Sequence, residues 1–324
     1  MIHAIVVNKT GDPSALRWQS IDTPEPKTGE VTVNTTAVGL NFIDTYHRRG
    51  LYPIETPFIP GVESVGLISK IGRGVSGYKL GDRVACVSEP MGAYAEARTF
   101  PAARLMKIPK DITDQTAASM MLKGLTAAML ARRVYKIKKG ETILIHAAAG
   151  GVGLILTQWA KAIGATVIGT VGSTAKARLL KSYGADHIIN YKRQDFVRAI
   201  DHLTHKRKLP VVFDSVGDAT FPGSLDCLKP RGLWVTYGNA SGPVPAFAPL
   251  ILMQKGSLFM TRPLLNHYIA KPEDYAKLAR ELFSMVRKGA IQIPIKQTYH
   301  LKDARRAHAD LEARKTIGST LLIP

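Results

Sequence analysis

Three glycines, Gly150, Gly151 and Gly153, stand between an apolar run that reads as a strand, TILIHA (residues 142–147), and a helical pattern, VGLILTQWAKAIG (152–164). That placement suits a phosphate. Small residues let the main chain approach a pyrophosphate, and unsatisfied amides at the helix N-terminus stabilise its charge. Ala148 takes the place of the first glycine of a dinucleotide fingerprint, and alanine also permits the tight turn. Residues 150–153, with Val152 among them, are therefore read as a pyrophosphate-binding turn. The alternative is a glycine-rich turn that binds nothing.

The residues beyond the turn bear on which dinucleotide it would hold. An NAD-selective fold carries an acid roughly 20 residues on, bonded to the ribose 2′-hydroxyl. Thr170 and Val171 occupy that place, and no Asp or Glu occurs between Glu141 and Asp186. Ser173 and Lys176 come after the next strand, where a 2′-phosphate would sit. A missing acid and a supplied cation both favour NADPH. Lys176 as an ordinary exposed helix lysine is the alternative.

The elements that must position these residues fall into two kinds. The first third is rich in Val, Gly and Pro. IHAIVVNK, EVTVNTTAVGL, ESVGLISKIG and DRVACVS read as short strands separated by turn residues, as in a bent β domain. From about Asp114 the periodicity becomes helical, and helices are expected to begin there. After Gly140, strands (TILIHA, TVIGTV, HIIN, VVFDSV, LWVTYG) alternate with helical stretches. This pattern predicts parallel βαβ units in a doubly wound sheet, and hence an α/β fold. The tail adds EDYAKLARELFSMVRKG and DARRAHADLEARK as helices and STLLIP as a strand, which could complete the first domain.

The 324 residues are enough for two domains. Two cysteines, Cys86 and Cys227, are too few for a disulfide framework or a thiolate zinc site, and they fit a reducing cytoplasm. No signal-peptide pattern opens the chain and no apolar run reaches membrane-spanning length, so neither secretion nor membrane insertion is expected. The net charge of +19 and pI near 9.9 predict attraction to polyanions. The densest basic clusters, residues 132–139 and 202–208, lack the repeated aromatics of base-stacking surfaces and read as solvated faces. His202 and His205 have no apparent third ligand, so no metal site is expected.

The segments VGLNFIDTYHRRGLYP, PGVESVGLISKIG, GDRV, LKGLTAAML, HAAAGGVG, INY and KDARRAHADLEARKTIGSTLLIP together resemble the medium-chain dehydrogenase/reductase superfamily. They are most similar to its NADPH-dependent quinone oxidoreductases of the zeta-crystallin type. The resemblance implies a GroES-like, β-rich catalytic domain from residues 1–123 and 265–324, and a Rossmann cofactor domain from 124–264. Zinc-dependent relatives carry a cysteine in the segment matching VGLNFIDTY and a histidine before the acid of their GHE motif. Here Asn41 lies in that segment and Val62 precedes Glu63, so zinc polarisation of a substrate is not expected.

The resemblance also implies a site. Asn41, Ile43, Tyr46 and Tyr52 would line a cleft beside the nicotinamide, where a tyrosine hydroxyl could donate to a developing quinol oxygen. Simple packing of both tyrosines is the alternative. Thr126 would reach the nicotinamide or its ribose, the alternative being a helix threonine bonded to its own backbone. Asn41, Tyr46, Tyr52 and Thr126 are thus the expected catalytic residues. Tyr191 and Arg314 match positions at the adenosine phosphate end, with a surface ion pair as the other reading of Arg314. Ser215, Tyr237 and Asn239 end later strands and would open toward the cofactor. Arg262 would lie in a loop running past the nicotinamide toward a homodimer interface made edge to edge by the cofactor-domain sheets. His146 reads as a satisfied, half-buried residue, and Lys123 and Arg133 receive no role. The expected reaction is zinc-free hydride transfer from NADPH to a quinone in an interdomain cleft. The enzymatic alternative is reduction of an α,β-unsaturated carbonyl. The non-enzymatic one is an RNA-binding or structural NADPH-binding protein.

Overall fold

In the computed structural model, which describes all 324 residues, the chain divides into two compact units. The first comprises residues 1–125, 270–287 and 293–324, and the second comprises 126–269 and 288–292.

The first unit begins with an antiparallel ribbon, β1 (Ile2–Val6) on β2 (Arg17–Ile21). Its sheet is organised on the long strand β3 (Glu30–Leu40). Beyond the helix α1 (Phe42–Arg49) come β4 (Glu63–Ile71), β5 (Arg83–Val87), β6 (Ala97–Pro101) and β7 (Leu105–Lys107). β3 pairs antiparallel with β4 on one side, while β6 pairs its first half. The Val31, Val33, Ile68, Val84 and Phe100 side chains form a core on one face. Helix α2 (Asp114–Met129) closes this part of the chain. It lies close to β3 because Gly39 has no side chain. A Cβ there would stand 2.1 Å from the Ala118 carbonyl oxygen and 2.2 Å from a Glu63 carboxylate oxygen.

Helix α1 corrects the expectation that helices begin at Asp114. Its signals are local: the Asp44 carboxylate accepts the Asn41 amide at 2.9 Å, His47, Arg48 and Arg49 fill the last turn, and Gly50 ends it at φ 77°. Only eight residues long, it lies in a Gly- and Pro-rich setting that hides a 3.6-residue period.

The second unit carries β8 (Thr142–Ile145), α3 (Gly151–Ile163), β9 (Thr166–Val171), α4 (Thr174–Ser182), β10 (His187–Asn190) and α5 (Phe196–Leu203). It is completed by β11 (Leu209–Asp214), β12 (Leu228–Thr236) and β13 (Phe259–Thr261). All six strands are parallel, in the order β10-β9-β8-β11-β12-β13. The strand order reverses on either side of β8, so ligands are expected outside the carboxyl ends of β8 and its neighbours. Ile168, Leu144, Val212 and Trp234 sit in its buried core. The last strands, β14 (Ile295–His300) and β15 (Ser319–Ile323), return to the first sheet, where β15 pairs antiparallel with β3. No helix is long and apolar enough to cross a membrane. Both cysteines are buried and free.

Candidate active site

In the second unit, the polypeptide leaves β8 through His146 and Ala147 and enters α3 with Gly150 as the N-cap. Ala147 adopts a left-handed φ of 49°, and the Gly150 amide donates to its carbonyl at 2.9 Å. Gly153 is the residue that admits the helix to the strand. A Cβ on it would lie 2.6 Å from Ala147 O and 2.7 Å from Ala148 Cα. The first amides of α3 lack intrahelical acceptors and point out of the helix N-terminus, which is what an anion requires.

The 2′-phosphate region lies after β9. Ser173 is the N-cap of α4 and accepts from the Lys176 amide at 3.3 Å. Tyr191, partly exposed beyond β10, lies over the main chain at Gly172, where a Cβ would meet its hydroxyl at 2.4 Å. Gly172, Ser173, Lys176 and Tyr191 are therefore neighbours in one corner of the unit. At the ends of β11 and β12, Ser215 and Gly238 approach so closely that a Cβ on Gly238 would lie 2.4 Å from Ser215 O. Tyr237 donates its amide to Asp214 O at 2.7 Å, and burial pushes its phenol pKa well up. Asn239 is part of the same turn. Arg262, just past β13, donates to Thr236 Oγ1 and Gly238 O, both at 3.0 Å, and so braces the end of β12. Thr126 is half-buried on α2.

In the first unit, α1 and the turn after it group Asn41, Ile43, Tyr46 and Tyr52. Tyr46 is buried with its ring 5.2 Å from that of Tyr52, edge to face, and 5.7 Å from that of Phe42. Arg314 also belongs to this unit, exposed after the helix Ala304–Glu312 with φ 59°.

Lys123, to which the sequence assigns no role, is half of a buried ion pair. Its ammonium lies 3.0 Å from Glu63 Oε2, and Glu63 is fully buried at the start of β4. Glu63 also accepts from the Leu122 amide at 2.8 Å and from Asn41 Nδ2 at 2.8 Å. Asn41 Nδ2 donates in addition to Gly39 O at 2.9 Å, so two acceptors fix its amide orientation. A lone lysine in the apolar helix sequence LKGLTAAM is the signal that could have found it, because a buried ammonium demands an acid.

A second buried chain holds the helix from below. Arg48 donates from Nη1 to His308 Nδ1 at 3.3 Å and makes two bonds to Glu312, at 2.7 and 3.0 Å. Since a guanidinium can only donate, His308 carries its proton on Nε2 and gives it to Tyr94 Oη at 2.9 Å. The Tyr94 hydroxyl then donates to Asp44 Oδ2 at 3.0 Å. His308 stays neutral, its pKa pushed down to about 3 by burial and then by Arg48. Burial raises the Asp44 carboxyl to about 7 against the lowering effect of the Asn41 and Tyr94 hydrogen bonds. Its Oδ1 has no hydrogen-bond partner.

The Asp44 shift predicts a pH dependence of stability. A carboxyl that binds its proton more tightly when folded contributes most below its unfolded value. That contribution is lost as pH rises from about 4 through about 7. Asp44→Asn, which keeps an acceptor for Tyr94 and Asn41 without the charge, should remove this slope. Urea denaturation across that range should show the variant gaining on the wild type toward pH 7. Parallel profiles would reject the assignment.

Comparison with known proteins places these features. The family described as "Alcohol dehydrogenase GroES-like domain" matches residues 27–110, and the family described as "Zinc-binding dehydrogenase" matches residues 151–284. A quinone oxidoreductase of Pseudomonas aeruginosa is 48% identical over 97% of both chains. The crystal structure of Escherichia coli quinone oxidoreductase complexed with NADPH superimposes with a TM-score of 0.98 at 46% identity, covering 99% of this chain and 100% of that one. The chain belongs to the quinone oxidoreductase family. It is a member of the medium-chain dehydrogenases/reductases, with the GroES-like and Rossmann-type domains that the superfamily combines. A 2-haloacrylate reductase of a Burkholderia species is also related, 40% identical over 100% of this chain and 99% of its own. Asn41, which donates to Glu63, and Val62, which precedes it, stand beside the Lys123–Glu63 pair. No three His, Cys, Asp or Glu side chains in the chain converge as a metal site would need.

Proposed function

We propose that this protein reduces quinones with NADPH. The observation that carries the reading is the turn of residues 147–153 on β8 and α3, together with a second strand end that has no acid and has Ser173, Lys176 and Tyr191 grouped beside Gly172. The names of the related proteins, one of them complexed with NADPH, support it.

Bound NADPH supplies a hydride from C4 of its nicotinamide, and the protein supplies position. The α3 amides, with Gly150, Gly151, Val152 and Gly153 keeping the approach open, hold the pyrophosphate. Lys176 and the Ser173 hydroxyl take the 2′-phosphate, Tyr191 covers that end, and Arg314 adds positive charge to it. Ser215, Tyr237 and Asn239 shape the strand ends that face the cofactor, and Arg262 keeps the β12 end in place. Asn41, Ile43 and Thr126 orient the nicotinamide. Tyr46 and Tyr52 offer flat ring surfaces to a planar acceptor and a hydroxyl to the reduced oxygen. A quinone accepts reducing equivalents without a strong acid, which suits a reacting end whose expected catalytic residues, Asn41, Tyr46, Tyr52 and Thr126, offer an amide, hydroxyls and rings.

A homodimer in the cytoplasm completes the proposal. β13 is the edge strand of its sheet, and Phe259 and Met260 on it are exposed, with Leu250 and Met253 on the short helix before it. An uncovered apolar edge strand is suited to pairing with a second copy.

The acceptor decides between this reading and reduction of activated alkenes, which the haloacrylate reductase relative keeps in view. With NADPH, 1,4-benzoquinone should be turned over with a higher kcat/KM than an alkenal or 2-chloroacrylate. Turnover of the alkenes alone would replace quinone as the substrate class.

A further inference from the structure

Behind the phosphate turn lies a buried polar cluster that the mechanism above does not use. Asp214, at the end of β11, is fully buried and accepts five hydrogen bonds. Oδ1 takes the amides of Val216 (2.8 Å) and Gly217 (3.3 Å). Oδ2 takes the hydroxyls of Thr220 (2.7 Å) and Ser224 (2.9 Å) and the indole of Trp234 (3.2 Å). Ser224 Oγ also lies 3.2 Å from His146 Nε2, and His146 Nδ1 lies 3.0 Å from Thr170 Oγ1, which accepts the Ala147 amide at 3.3 Å.

Proton counting gives this chain one direction. The single Ser224 proton goes to the carboxylate, so Ser224 accepts from His146, whose proton is on Nε2. His146 Nδ1 is then an acceptor, and Thr170 donates to it while receiving the Ala147 amide. Burial lowers the His146 pKa, which favours the neutral ring, and the bond to Ser224 sets the tautomer. The two ends of the chain are the two turns that the proposed function assigns to the cofactor. Asp214 Oδ1 ties down residues 215–217. The far end holds the amide of Ala147, a non-glycine residue in the left-handed region, a conformation that persists where surrounding bonds enforce it.

We propose that Asp214, Ser224, His146 and Thr170 are positioning residues that set the Ala147 turn and the Ser215 turn in register for the dinucleotide, one hydrogen-bond chain joining the ends of β8, β9 and β11. The proposal rests on the NADPH reading but concerns residues that do not touch the cofactor.

The test measures NADPH affinity of the full-length protein, by protein-to-nicotinamide fluorescence energy transfer, together with kcat and KM for benzoquinone turnover. Thr170→Val removes the hydroxyl without changing shape, Thr170→Ser restores it, and Ser224→Ala cuts the chain at its other end while Asp214 keeps four donors. Thr170→Val and Ser224→Ala should each weaken NADPH binding about tenfold, the scale of one lost buried hydrogen bond, with kcat at saturating NADPH within about twofold of wild type. Thr170→Ser should bind as wild type does. Hydrogen exchange of the amides of residues 147–153 should quicken in Ser224→Ala, although Ser224 lies far away in sequence. Unchanged affinity in both variants, or unchanged exchange at 147–153 in Ser224→Ala, overturns the positioning role. Failure of the wild type to bind NADPH would instead overturn the functional reading.

Discussion

Lys123→Met is expected to destabilise the protein by about 3–5 kcal/mol, the cost of removing one partner from a buried ion pair. The methionine fills most of the volume of the lysine stem, so the loss is electrostatic. Glu63, at zero exposure, would be left with only the Leu122 and Asn41 amides as donors. Glu63→Gln in the same chain should recover part of the loss, because it removes the unpaired acid and its amide oxygen can still accept from Leu122, although its NH2 would face Asn41 Nδ2. The stability of the single and double variants, read from denaturant midpoints at constant slope, checks this. A Lys123→Met loss no larger than that of a surface lysine would mean that the pair does not hold α2 and β4 together. The same pair bears on function, because Glu63 fixes the amide of Asn41 at the start of the helix that carries Ile43 and Tyr46.

Gly153→Ala should leave the protein folded but raise the KM for NADPH about a hundredfold, the scale expected when a binding group is displaced by about an ångström. The added methyl would lie 2.6 to 2.8 Å from three backbone atoms of Ala147 and Ala148, and backbone cannot rotate away as a side chain can. Helix α3 must therefore shift outward from β8, carrying its N-terminal amides with it. Gly150→Ala is the matching control. Its Cβ would meet only Ala147 O at 3.2 Å, so a much smaller rise is expected. Steady-state kinetics with varied NADPH at fixed benzoquinone separates the two, and equal effects would contradict the packing argument.

The parts of this protein that are local in sequence could be read from it. The β8–α3 turn, the parallel strands on either side of it and the missing acid after β9 all lie within one βαβ unit, where spacing along the chain is also spacing in space. Short, edge or hidden elements escaped. α1 is eight residues in a Gly- and Pro-rich stretch, and β13 is three residues at a sheet edge. The polar clusters were out of reach for a different reason. Glu63 and Lys123 are 60 residues apart, His146 and Ser224 are 78 apart, and Arg48 and Glu312 are 264 apart. Nothing in composition or period brings such residues together. His146 illustrates the limit: it is satisfied, as expected, but fully buried, and its partners were invisible before folding. The sequence held one usable hint, the charged Lys123 inside an apolar run, and it went unread because no role was assigned to that residue.

Transfer of reducing equivalents from NADPH to a quinone without a metal is tested most directly by steady-state oxidation of NADPH and of NADH with 1,4-benzoquinone in metal-free buffer containing EDTA. Quinone-dependent oxidation should persist in EDTA, with NADPH preferred over NADH by about tenfold or more in kcat/KM, as a charge-assisted 2′-phosphate contact at Lys176 requires. Equal use of the two cofactors, loss of turnover in EDTA, or no quinone-dependent oxidation of either would contradict it.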